Sequence, residues 1–160
     1  TGTHPSTCMC IRQIENRLKP GRTFLDVGCG SGILMIAAAK LGAAHLTGID
    51  TDEIAVDISR DNLEKNRIPQ DRYCLYTCRL DQTEPITYDL IAANIIAQTI
   101  IEILEDIKKR MAPHGHAILS GIIQERMPET ADALHRHDLE IVFQEILDEW
   151  VTLTVAHKDR

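Results

Sequence analysis

Two acids and three glycines carry the chemistry that this chain offers. The stretch Leu25-Asp26-Val27-Gly28-Cys29-Gly30-Ser31-Gly32-Ile33-Leu34 runs from an apolar strand into a glycine turn, and Asp50 stands 22 positions after Gly28. The turn opens a helix, and a second strand, His45 to Ile49, then ends in that acid. This is the layout of a nucleoside-binding βαβ unit. Glycines let backbone lie against a ligand, and the acid at the carboxyl end of the second strand accepts hydrogen bonds from ribose hydroxyls.

The spacing of the glycines narrows the nucleoside. A dinucleotide fingerprint, G-x-G-x-x-G, needs glycine at position 33, which is Ile33 here. Gly28, Gly30 and Gly32 instead form G-x-G-x-G, the form used by S-adenosylmethionine (SAM) enzymes. On that reading Asp26, at the end of the first strand, reaches the methionine ammonium directly or through water. Asn94, just after a fourth strand that flanks the first, projects beside the sulfonium. Asp81, after the third strand, lies where an adenine amino contact belongs. Plainer roles exist for each: Asp26 as a helix-capping or structural acid, Asp81 as an exposed loop acid, and the glycines as tight turns.

The elements that must position these residues alternate along almost the whole chain. Met9, Ile11, Ile14 and Leu18 form a helical stripe over Pro5 to Leu18, ended by Pro20-Gly21. Strands follow at Thr23 to Val27, His45 to Ile49, Arg72 to Thr77, Tyr88 to Ala93 and His116 to Ser120. Helices are expected over Ser31 to Leu41, from the Asp52 cap to before Pro69, over Gln98 to Met111 and over Gln124 to Arg136. Ile54, Ala55, Ile58 and Leu63 form the expected inner face of the second of these. Pro113-His114-Gly115 reads as a turn before the fifth strand. Leu139 to Leu147 and Trp150 to His157 are joined by the short Asp148-Glu149 turn, so this closing pair must be antiparallel. The pattern predicts one doubly wound α/β domain over residues 1–160, with a seven-stranded sheet and an antiparallel C-terminal hairpin.

Composition bounds the partners. The net charge is −7, and only Lys108-Lys109-Arg110 are adjacent cations. That argues against a nucleic-acid grip and for a small molecule or a basic protein. No apolar run approaches the roughly 20 residues of a membrane span, and no secretory signal is visible, so no membrane partner and a cytoplasmic setting are expected. The five cysteines, Cys8, Cys10, Cys29, Cys74 and Cys78, are an odd number without zinc spacing. Cys74 and Cys78, on one strand, would stand about 13 Å apart. They read as small buried hydrophobes, and Cys29 as a small side chain beneath the ligand rather than a nucleophile. His114 and His116, like His135 and His137, lack the spacing of a helical metal pair, so no metal is expected. Trp150 reads as core or rim packing.

A resemblance sharpens this. Thr1-Gly2-Thr3-His4-Pro5-Ser6-Thr7 resembles the Gly-Thr-Gly-Thr-His-Pro-x-Thr signature of the bacterial ribosomal protein L-eleven methyltransferase family (PrmA type). The glycine motif is close to that family's first motif. Ala92-Ala93-Asn94-Ile95-Ile96-Ala97, Leu119-Ser120-Gly121-Ile122-Ile123 and Glu149-Trp150-Val151 resemble three more of its elements. The resemblance implies a Rossmann-like class I SAM-dependent methyltransferase fold. It carries the family's cofactor contacts onto Thr7, Gly28, Asp50 and Asn94, beside Asp26 and Gly30 from the glycine motif. It implies methyl transfer to lysine side chains or an N-terminal amine of a ribosomal protein, a basic partner. Asn94-Ile95-Ile96 lacks the Pro-Pro-Tyr element of many nucleic-acid amino methylases. Nothing in the chain corresponds to the family's N-terminal recognition domain, which is expected to be absent.

Methyl transfer is an in-line displacement that needs positioning and a neutral amine. No residue is required as general base. Asn94 is the candidate for orienting the amine or cofactor through its side-chain carbonyl, and His4 for shaping the mouth of the site. Alternatives stay open: a small-molecule methyltransferase, a non-catalytic SAM-binding module, and an NAD-dependent oxidoreductase, which Ile33 and the closing hairpin disfavour.

Overall fold

The computed structural model describes residues 2–159; Thr1, with which the signature begins, lies outside them. The elements run α1 (Pro5–Arg17), β1 (Thr23–Val27), α2 (Ile33–Lys40), β2 (His45–Asp50), α3 (Glu53–Lys65), β3 (Tyr73–Thr77), β4 (Tyr88–Asn94), α4 (Ala97–Arg110), β5 (Met111–Ile123), α5 (Met127–Arg136), β6 (Leu139–Leu147) and β7 (Trp150–His157). One sheet has the order β3-β2-β1-β4-β5-β7-β6. Its first five strands are parallel, and β7 runs antiparallel to both β5 and β6. The doubly wound sheet with an antiparallel hairpin is the expected architecture.

The alternation of each strand decides which side chains share a face. On β1, Leu25 and Val27 face the core packed by α4 and α5, while Phe24 faces the core packed by α1, α2 and α3. Ile91 and Ala93 of β4 and Ala117 and Leu119 of β5 join the first core; Leu90, Ala92 and Ile118 join the second. Each fully buried Leu, Ile or Phe in these layers contributes about 1.5–3 kcal/mol of transfer free energy. Asp26, Asp50, Asn94 and Ser120 take the parity of the second face. Four polar side chains thus stand in register toward α1–α3 at the carboxyl end of the strands, where open α/β sheets bind ligands.

Two local expectations are corrected. The inner face of α3 is not Ile54 and Ile58, which are 69% and 46% exposed; Val56 and Ser59 are buried instead, beside the expected Leu63. The helix rests Ser59 on the glycine turn: an ideal Cβ at Gly32 would stand 3.2 Å from Ser59 Cα. Only a small residue fits there, and that contact rotates Ile58 outward. The other correction concerns β5, which begins at Met111 rather than His116. Tyr88 of β4 pairs with Met111 and Leu90 with His116, so β5 uses five positions where β4 uses two. Pro113 and His114 bulge out, exposed, and Gly115 packs beneath the Tyr88 carbonyl.

Candidate functional site

The turn between β1 and α2 is pinned to β2. The backbone N–H groups of Gly28 and Cys29 both donate to the Ile49 carbonyl, at 2.8 and 2.9 Å, and Gly32 N–H donates to Cys29 O at 2.8 Å. Gly28 needs its glycine twice over: its φ is +76°, and a Cβ there would stand 2.7 Å from Ile95 Cγ2. Gly30, with φ +52°, is different. A Cβ there meets nothing closer than the Gly28 carbonyl at 4.0 Å, so this stretch of backbone borders open space that a side chain would fill. Ser59 Oγ donates to Gly30 O at 2.7 Å, and Asn62 Nδ2 donates to Ser31 O at 2.8 Å. Helix α3 therefore braces the turn from behind.

Asp50 is engaged by the turn. One carboxylate oxygen accepts from Gly30 N–H at 3.1 Å and the other from Asp52 N–H at 3.0 Å. Asp52 in turn caps α3 by accepting from Ile54 N–H at 2.9 Å. Asp26 is the opposite case. It is 1% exposed, and neither carboxylate oxygen has a hydrogen-bond partner among the described residues. Burial pushes its carboxyl from its ordinary 3.8 to about 7, and the neighbouring charge of Asp50 adds to the effect. A buried acceptor with both oxygens open costs free energy unless a ligand satisfies it.

A cleft of about 340 Å³ opens beside the turn, walled by Val27, Gly28, Ile49, Asp50, Thr51, Cys78, Arg79, Leu80, Ile95, Thr99, Glu102 and Ile103. It brings together Gly28 and Asp50 of the residues singled out from sequence. Gly30 reaches it through its bond to Asp50. Asp81 is not one of its walls; its carboxylate is held by Arg79, Nε at 3.0 Å and Nη2 at 2.9 Å, which pulls it below the usual carboxylate range. Thr7 and Asn94 form a second group, with Asn94 Nδ2 donating to Thr7 Oγ1 at 3.3 Å across 87 residues of sequence. Asp26 sits between the two groups: Asp50 acts on its charge from one side, and its charge acts on Cys10 of α1 on the other.

The N-terminal signature is a cap. His4 Nδ1 accepts from Ser6 N–H at 3.2 Å, which caps the start of α1, with Pro5 in its first turn. The imidazole stands edge-on to Trp150 with ring centroids 4.8 Å apart. Gly2 lies against the start of α2, where a Cβ would be 2.8 Å from Ile33 Cδ1. His4 thus caps α1 and packs its ring on Trp150 at the start of β7.

Cys29 is buried, and burial pushes its thiol up to about 11, so it is no ready nucleophile. All five cysteines are free thiols, but only Cys10 and Cys29 are buried; Cys8, Cys74 and Cys78 are partly exposed, and so are not the buried hydrophobes expected. Ser59, Ile95 and Gly121 were not singled out from sequence. Ser59 was legible as a small polar residue between the apolar positions of α3. Ile95 and Gly121 stood within the family motifs but without a role of their own, because each matters through a contact with a distant strand.

The sheet order and the glycine turn define a Rossmann-like class I methyltransferase fold. A solved structure of ribosomal protein L11 methylase from Lactobacillus delbrueckii subsp. bulgaricus superimposes with a TM-score of 0.93 at 29% identity, over 99% of this chain and 81% of that one. The family model for ribosomal protein L11 methyltransferase (PrmA) matches residues 1–158, and the chain belongs to that family. It is 48% identical over 153 residues to the ribosomal protein L11 methyltransferase of Desulforapulum autotrophicum, covering 96% of this chain and 50% of that protein. The corresponding protein of Desulfosudis oleivorans is 40% identical over 158 residues, 96% of this chain and 51% of its own length. The chain spans about half the length of these relatives. No helix among the described residues is long and apolar enough to cross a membrane.

Proposed function

We propose that this chain is a SAM-dependent methyltransferase domain that transfers methyl groups to protein amines, a lysine side chain or an N-terminus, of a ribosomal protein in the cytoplasm. The observation that carries the cofactor is Asp26: a buried carboxylate with two open acceptor oxygens, next to a glycine turn that leaves room beside Gly30. An ammonium is the partner such a group requires, and SAM has one on its methionine end. Asp50 is placed for the ribose hydroxyls, with the lone pairs that Gly30 and Asp52 leave free. The apolar walls Ile49, Leu80, Ile95 and Ile103 suit a flat base. Backbone of Gly28 and Gly30, with Thr7 and Asn94, completes the set.

When bound, SAM supplies an electrophilic methyl on a sulfonium leaving group. The chain's residues then have to align a lone pair and exclude water. A lysine amine of ordinary pKa near 10.4 must lose a proton first, which a desolvated site favours. Asn94 Oδ1, with its amide nitrogen committed to Thr7, is the acceptor that orients that amine. A net charge of −7 supports a basic protein partner and not a nucleic acid.

The test is calorimetric titration with S-adenosylhomocysteine (SAH), run beside NAD, on wild type and Asp50→Ala. SAH binding alone, lost in the variant, is expected; NAD binding overturns the cofactor. Methyl transfer from labelled SAM is then measured on ribosomal protein L11, on a small amine and on RNA. Labelling of the protein is expected, and labelling of the small amine alone moves the substrate to a metabolite.

A further inference from the structure

The elements that hold Asn94 are spread over three parts of the chain, and they converge on two residues of β5. Asn94 is paired in register with Ser120, and Ile95 N–H donates to Ser120 O at 3.1 Å. The Ser120 hydroxyl, fully buried, donates to the Ser6 carbonyl of α1 at 3.2 Å. Having given its one proton there, its oxygen accepts from the Thr152 hydroxyl of β7, which is also fully buried. Ser6 precedes Thr7, so this bond sets the height at which Thr7 Oγ1 meets Asn94 Nδ2. On the other side of the amide stands Gly121, with φ +80°. A Cβ at Gly121 would lie 2.5 Å from the Ile95 carbonyl and 3.2 Å from Asn94 Oδ1.

We infer that Ser120 and Gly121 are positioning residues for Asn94: Ser120 ties α1 to the sheet at a fixed spacing, and Gly121 leaves the amide oxygen the room to face the acceptor. This rests on the reading of Asn94 as the group that orients the amine. The β5–β7 ladder shifts register between Leu119 and Ile122, so the Ser120–Thr152 hydroxyl bond spans a break in the backbone pairing, and the Ser120–Ser6 bond carries that junction to α1. Their common output is the pair Thr7–Asn94. The two residues act on opposite edges of one side chain, the tether through its nitrogen and the glycine through its oxygen.

The experiment combines two readouts on Ser120→Ala and Gly121→Ala in the complete chain. The first is the ¹⁵N–¹H signals of the Asn94 side-chain amide, assigned by their loss in Asn94→Asp. The second is kcat with SAM and ribosomal protein L11, set beside SAH affinity and melting temperature. Gly121→Ala meets backbone at close range and can fail to fold; Ser120→Ala removes one oxygen and keeps the test open. In Ser120→Ala the Asn94 signals shift and kcat drops by about ten- to a hundredfold, as a small misplacement of a reacting geometry does, while SAH affinity, shared with Asp26, Asp50 and the glycine turn, falls by less. Asn94 signals unmoved in Ser120→Ala overturn the inference and leave the reading of Asn94 standing. Undiminished turnover in Asn94→Ala removes that reading, and this inference with it.

Discussion

The ends of β1 and β2 carry two aspartates on one face of one sheet, and they are in opposite states. Asp26 is 1% exposed with both oxygens open; Asp50 is partly exposed with each oxygen holding a backbone N–H. Asp26 lies level with Gly48 in the ladder, so Asp50 is two residues farther toward solvent. That one step separates a carboxyl pushed to about 7 from one satisfied by its own loop. The comparison teaches a division of labour. The engaged acid builds the turn and keeps spare lone pairs, whereas the unengaged acid holds two buried oxygens with no hydrogen-bond partner among the described residues.

Asp26→Asn should break the comparison most deeply. Removing one partner of a buried charged contact costs about 2–5 kcal/mol, so SAH affinity should fall at least thirtyfold by calorimetry, roughly 2 kcal/mol on the affinity scale. The same change should stabilise the empty protein at pH 8. The sign follows from linkage: a carboxyl raised from 3.8 to about 7 keeps its proton in the folded state after the unfolded chain has lost it. Stability therefore falls as pH rises from about 4 to about 7 and is flat above, a span of at most about 4 kcal/mol. Denaturant melts across that range should show the fall in wild type and not in Asp26→Asn.

A pH titration of binding sharpens the contrast next. If the ammonium needs the carboxylate, wild-type SAH affinity should weaken as pH drops through about 7, approaching tenfold per unit below it. Asp50→Asn should keep this inflection and shift it slightly down, since the Asp50 charge is one of its causes. An inflection unchanged in Asp26→Asn would assign it to another group.

The turn between the two acids gives a smaller effect. Gly28→Ala and Gly30→Ala both force a side chain into positive φ, at a cost of about 1–2 kcal/mol. Only Gly28→Ala also meets Ile95, so it should show the larger loss of melting temperature. Gly30→Ala should lose SAH affinity with less loss of stability, because its methyl enters the open space. The smallest change is Ser59→Ala, which frees the Gly30 carbonyl and should cost about 1 kcal/mol in a chemical melt.

Much of this was readable locally. The strand, glycine turn, helix and second acid follow one another within 26 residues, from Leu25 to Asp50, and each signal acts through its neighbours in sequence. Asp52 capping α3 and Pro5 opening α1 are likewise local backbone chemistry. The inner face of α3 was misjudged because apolar spacing alone favoured Ile54 and Ile58, and the requirement for a small residue against Gly32 comes from another helix. The bulge in β5 was misjudged because Pro113-His114-Gly115 has turn chemistry, and only pairing with Tyr88 shows that the strand resumes on both sides.

The sequence by itself determined the fold class, the glycine turn, the acid at the end of β2 and the family signature, since these rest on propensity, periodicity and short spacing. Tertiary structure alone decided that Asp26 has no hydrogen-bond partner among the described residues, that Thr7 meets Asn94, and that Ser120 joins α1 to β5 and β7. Burial and hydrogen-bond satisfaction depend on which distant atoms arrive. A chain read residue by residue does not contain that count until the sheet has closed around it.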